Sequence, residues 1–128
     1  ALDLLQLERI HRSKTGALIE AALRIGGLAA GAPAEQLRAF EHYGASVGLA
    51  FQIADDVLDI TATTDQLGKT AGKDVAFRKS TYPALLGIAG AKARAEALVQ
   101  EACKGLQDHG ALTPELEFLA RFIVARRS

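Results

Sequence analysis

Apolar residues recur at helical intervals through almost the whole chain. Leu4, Leu7 and Ile10, followed by Leu18, Ile19, Ala22 and Ile25, fit a repeat of 3.6 residues, so Leu2 to Ala30 is predicted as helix. Gly16 and the Gly26-Gly27 pair are its weak points, and a kink is expected near Ser13 to Gly16. Gly31-Ala32-Pro33 then stops one helix and starts another, because glycine accepts the left-handed conformation after a helix and proline suits a first turn. The second helix is predicted from Pro33 to about Thr61. From Thr61 to Ser80, Gly68, Gly72 and a mixture of Thr, Asp and Lys predict a long functional loop. Tyr82 to Gly110 again reads as helix. Thr113-Pro114-Glu115 supplies an N-cap, a first-turn proline and an early acid for a last helix that continues to about Arg126. No segment alternates with period two over a strand's length, so the expected fold class is all-α.

Composition narrows the function classes. A chain of 128 residues that is 49% hydrophobic and 23% charged is long enough for one domain with a sizeable core. No apolar run approaches the ~20 residues of a membrane span, so a soluble chain is expected. Fifteen basic residues balance fifteen acidic ones, which leaves no global field for nucleic acid or an anionic membrane. The single cysteine, Cys103, makes no internal disulfide, and there is neither a CxxC pair nor a signal-like start, which points to the cytoplasm. His11, His42 and His109 lack metal-ligand spacing and are expected as surface or core histidines.

Chemistry concentrates on the second helix. Gln52, Asp55, Asp56 and Asp59 fall within roughly a 100° stripe of one face. Phe40, Tyr43, Val47, Ala50, Phe51, Ala54, Val57 and Leu58 are expected on the opposite face, with Leu49, Ile53 and Ile60 extending the apolar surface around one flank. An acidic cluster is ordinarily a solvated helix face. Here the stripe is led in by Gly44, Ala45 and Gly48, a small, uncharged surface that reads as a cavity wall. Asp59, placed near the expected helix end, is disfavoured by the macrodipole by roughly 0.3–1 kcal/mol and calls for a cation. Three like charges repel unless a counterion neutralises them, and hard carboxylate oxygens suit Mg²⁺, which keeps waters and accepts phosphate oxygens. The chain lacks the alternating oxygen ligands and closing Glu of a calcium-binding EF-hand.

Basic residues follow the acids. Lys69, Lys73, Arg78 and Lys79 lie in the glycine-containing loop with Asp65 and Asp74 among them. Loop lysines are usually just solvated. A metal-bound phosphate beside this loop would give them partners, and Gly68 and Gly72 would let the backbone approach. Lys14-Thr15-Gly16 sits at the expected kink, where a lysine and a hydroxyl would point into a cavity. No GxxxxGK pattern precedes it, so it is not a P-loop.

Taken in order, Lys14-Thr15-Gly16, Phe51-Gln52 ahead of Asp55-Asp56-Val57-Leu58-Asp59, Leu67-Gly68-Lys69, Gly72, Asp74 and Lys79-Ser80-Thr81-Tyr82-Pro83 resemble a trans-polyprenyl diphosphate synthase. The resemblance is to the short-chain bacterial farnesyl or geranylgeranyl type and runs across nearly the whole chain, in the order of that family's carboxy-terminal half. It implies that residues 1–128 form the carboxy-terminal part of a single helical domain of the isoprenoid synthase type, in a homodimeric protein. It implies that Asp55, Asp56 and Asp59 are the second aspartate-rich motif, binding Mg²⁺, with Mn²⁺ as the alternative ion. Lys14 and Lys69 would contact the allylic diphosphate, Gln52 and Thr15 would line the site, Asp74 would support the metal's water shell, and Lys79 would be a nearby basic helper in binding diphosphate. The reaction implied is the head-to-tail condensation of isopentenyl diphosphate with an allylic diphosphate, through electrostatic neutralisation of the leaving diphosphate. Arg78 stands where the family often has glycine. The family's first aspartate-rich motif has no counterpart in the sequence, so the chain is expected to be a fragment, inactive alone.

Two rival readings differ in class. A non-catalytic helical interaction module would complete its site with a partner. A terpene cyclase-like, Mg-dependent diphosphate lyase shares acidic helices and apolar cavities. Against the cyclase stand the Lys14-Thr15-Gly16 and Lys79-to-Pro83 segments and an aromatic content of 5%, since cyclases line their cation pockets with rings.

Overall fold

The computed structural model describes residues 3–11, 17–66 and 81–126, and every regular element among them is an α-helix. These are α1 (Leu4–His11), α2 (Ala17–Ala29), α3 (Ala34–Gln66), α4 (Tyr82–Asp108) and α5 (Pro114–Ala125). The expected all-α class holds. The expected kink near Ser13 to Gly16 falls outside the described residues, with a helix on each side of it.

Local chemistry sets the boundaries. Asp3 and Gln6 form a reciprocal cap on α1: the Gln6 amide donates to Asp3 Oδ1 at 2.8 Å and the Asp3 amide to Gln6 Oε1 at 3.0 Å. The α2–α3 turn closes on Gly31, at φ 74°, with Ala32 N–H donating to the Gly27 carbonyl at 2.9 Å. Thr81 and Thr113 cap α4 and α5 by accepting from the amides of Ala84 and Leu116, and proline follows each in the first turn. α3 continues to Gln66, beyond the expected end at Thr61. Its Thr61 hydroxyl donates back to the Val57 carbonyl at 2.8 Å, a bond that lets a threonine stay inside a helix instead of competing with it. Gly87, at φ 77°, breaks α4 internally where helical periodicity gave no sign of it.

α3 is the central element. Its Tyr43, Val47, Leu49, Ala50, Ile53 and Val57 are buried against Tyr82, Ala91, Ala95, Leu98, Val99, Ala102, Cys103 and Leu106 of α4. The two helices run antiparallel: Gln36 donates to the His109 carbonyl at one end of the pair. α2 returns along α3 in the opposite direction, joined by an Arg24–Glu41 ion pair at 3.0 Å. α5 runs parallel to α3, and α1 closes the core with Leu7 while Glu8 pairs with Arg94 at 2.9 Å. No helix among the described residues is long and apolar enough to cross a membrane.

One expectation about α3 changes here. Gly44 does not line a cavity wall. A Cβ built on it would lie 3.1 Å from the Glu20 Cα and 3.0 Å from a Leu23 methyl, so α2 itself occupies the space that the small residue leaves. Leu18 and Ile25, two of the periodic apolar residues of α2, are exposed, and Leu28 joins them.

Candidate functional site

The acidic stripe is carried by the same helix that holds the core. Ile53 and Val57 are buried, which fixes α3 about its axis, and Asp55, Asp56 and Asp59 are interleaved with them on the same helix. Their exposure is graded. Asp55 and Asp56 are partly buried, the Oδ2 atom of Asp56 is shielded from solvent, and Asp59 is exposed. Gln52 is partly buried one turn earlier. Asp59 also lies further from the helix end than expected: with α3 running to Gln66, it sits before the last turn, and the macrodipole effect falls off within that turn.

Asp55 already faces a cation. Arg126, the C-cap of α5, donates from Nη2 to Asp55 Oδ1, and its Nε donates to the Ile123 carbonyl at 3.2 Å. The guanidinium lies over the Phe51 ring at 4.6 Å from the centroid. Phe51 and Asp55 are one helical turn apart and meet the same group, so Phe51 borders the acidic stripe and does not belong to the opposite face. Sequence reasoning missed Arg126. Its signal was weak: a basic residue at the end of a last helix, with nothing local to say that α5 lies parallel to α3.

Two cavities flank this contact. One, of about 500 Å³, lies between α3, α4 and α5 and is lined by Ile53, Val57, Lys92, Glu96 and Arg126 among others. The other, of about 470 Å³, is an apolar groove between α2, α3 and α5, lined by Leu23, Tyr43, Val47, Phe51, Phe122 and Arg126 among others. Neither is lined by the aspartates. Lys14, Thr15, Lys69, Asp74 and Lys79 lie outside the described residues. His42 pairs with Glu101 at 3.4 Å and the His109 ring meets the Gly105 carbonyl at 2.9 Å, so both are surface histidines; the side chain of His11 lies outside the description.

The family model for polyprenyl synthetase matches residues 1–114. The chain belongs to the polyprenyl synthetase family. Among proteins of known function it is 48% identical over 125 residues to a dimethylallyltranstransferase of Fischerella ambigua (strain UTEX 1903), covering 98% of this chain and 36% of that protein. It is 48% identical over 124 residues to the farnesyl diphosphate synthase of Escherichia coli (strain K12), covering 94% and 42%. The crystal structure of a Marinomonas sp. MED121 protein assigned to the farnesyl-diphosphate synthases superposes with a TM-score of 0.75 at 37% identity, over 96% of this chain and 40% of that one. The chain thus spans about two fifths of the length of these relatives, and its helices are an all-α isoprenoid synthase arrangement as far as they go.

The donor chemistry of the stripe fits a hard divalent cation: three carboxylates on one helix, one of them already holding a cationic group. Among the described residues, no three His, Cys, Asp or Glu side chains are gathered around one point.

Proposed function

We propose that this chain is the carboxy-terminal part of a prenyltransferase that condenses isopentenyl diphosphate with an allylic diphosphate, and that Asp55, Asp56 and Asp59 are its metal-binding carboxylates. The observation that carries the reading is an acidic stripe on a core helix, of which one carboxylate already takes a cation, in a chain whose relatives are named as prenyl synthases. Carboxylate oxygens suit magnesium, a hard cation that takes protein oxygens together with waters and substrate oxygens.

When bound, magnesium neutralises charge on the departing diphosphate. The chain's own residues do the rest. Asp55, Asp56 and Asp59 hold the ion at the edge of the helical core. Lys14, Lys69 and Lys79 would neutralise the diphosphate oxygens as point charges, Asp74 would support the metal's water shell, and Thr15 and Gln52 would hydrogen-bond at the site. The charge developing on the leaving group would thus be met by cations, and no side-chain nucleophile is required. A homodimeric enzyme working in the cytoplasm, with Mn²⁺ able to replace Mg²⁺, completes the proposal.

The test is Asp55→Ala in a full-length protein carrying this sequence. Condensation activity should fall at least ~100-fold, with the Mg²⁺ requirement raised, because an ion ligand is lost. Activity unchanged at limiting Mg²⁺ would overturn the assignment.

A further inference from the structure

We infer that Arg126 is a built-in counter-cation for Asp55 that a divalent metal must displace, so that metal binding on α3 releases the end of α5. The inference rests on the proposed metal role of Asp55.

Phe51 and Asp55 together form a receptor for a guanidinium. The ring supplies a face 4.6 Å from the guanidinium carbon and the carboxylate supplies an anionic acceptor. Arg126 fills it with its side chain 15% exposed, while Asp55 remains 39% exposed. The cation is therefore largely withdrawn from water, whereas the carboxylate can still be approached from outside. An ion arriving at Asp55 meets an oxygen already shared with a positive group, and the two cations repel at close range. Occupancy of Asp55 by one lowers occupancy by the other.

The guanidinium has somewhere to go. It lines both flanking cavities, of about 500 and 470 Å³, and the first also carries Glu96 on α4, an alternative carboxylate. Its backbone is held by the last turn of α5, where the Arg126 amide donates to the Phe122 carbonyl at 2.9 Å. Rotation of the side chain alone frees Asp55, and the ring contact and the bond from Nε to the Ile123 carbonyl are given up with it. The loss of these contacts loosens the residues from Ile123 to Arg126, so the acidic stripe and the C-terminal end of α5 respond to the same ion.

Titration of this chain with Mn²⁺ alone, read from the electron paramagnetic resonance signal of the free ion, separates the possibilities. Arg126→Met should bind Mn²⁺ about five-fold or more tightly than the unaltered chain, since a competing charge is removed. Arg126→Lys should fall between them, because it keeps the charge and loses the planar stacking on Phe51. Asp55→Asn should weaken binding. In the unaltered chain, Mg²⁺ should also speed amide hydrogen exchange over residues 123–126, and this readout stands even where Arg126→Met fails to fold. If Asp55→Asn leaves Mn²⁺ binding unchanged, the metal role of Asp55 is wrong and this inference falls with it. If Asp55→Asn weakens binding but Arg126→Met binds no more tightly, or if Mg²⁺ leaves exchange at residues 123–126 unchanged, the metal role survives and the displacement is wrong.

Discussion

Tyr43 shows how one side chain ties distant parts of the chain together. Its hydroxyl donates to the Leu116 carbonyl at 2.7 Å and so fixes the start of α5 against α3. Burial, and secondarily the nearby Cys103, push its pKa up from 10.0 to about 12. The fold thus favours the neutral phenol. The unfolded chain loses the proton first, so this contribution is complete below pH 10 and is lost as the pH rises through 12, an effect of roughly 3 kcal/mol. Cys103 adds to the same alkaline trend, its thiol raised first by burial, with Glu117 acting in the same sense and Arg121 against it. Replacing Tyr43 with Phe should cost about 1–2 kcal/mol at neutral pH by leaving a carbonyl without its donor. It should also flatten, without abolishing, the stability loss between pH 10 and 12 in urea denaturation; an unaltered alkaline slope would contradict this.

At the scale of elements, the α2–α3 pair is set by the absence of a side chain at Gly44. Alanine favours a helix interior over glycine by about 1 kcal/mol. A methyl at Gly44 would press on the backbone of Glu20 at 3.1–3.2 Å, and overpacking of that kind costs about 1–3 kcal/mol, so the contact outweighs the propensity. Gly26 has nothing within 4 Å of a built Cβ, and there propensity acts unopposed. Gly44→Ala should therefore lower the urea midpoint and Gly26→Ala should raise it; two shifts of the same sign would show that packing at Gly44 is not tight.

The same helices show what the sequence made legible. Period and caps located all the described elements and the Thr113 start of α5, because both signals are local. The end of α3 was read five residues short, since Thr61 to Asp65 have turn chemistry that a continuing helix overrode. The acidic stripe followed from 3.6-residue geometry alone. Arg126 did not, because its partner lies 71 positions away and only the tertiary placement of α5 brings them together. Gly44 was misread because a small residue leaves room without saying what fills it.

Among the described residues, apolar surface is left uncovered on several helices, most of all on α2 and α5. Leu18, Ile25 and Leu28 are exposed along α2, and Phe118, Leu119 and Phe122 along α5, where the two phenylalanine rings stack with centroids 5.9 Å apart. Patches of that kind mark surfaces that associate. The chain in isolation should self-associate with increasing concentration, and a double change of Ile25 and Phe122 to Lys should shift it toward monomer. A monomer by sedimentation that also fails to bind hydrophobic dye would count against this. The parallel setting of α5 on α3 has a different consequence. From Leu116 to Arg126 the chain rises ~15 Å, close to the ~18 Å from Tyr43 to Asp55, so the two helices are pinned to each other at both ends. One residue inserted or deleted within that stretch swings everything after it by about 100° around the axis and carries the guanidinium off its ring. The length of α5, as much as the identity of its last residue, therefore sets the contact between Arg126 and Phe51.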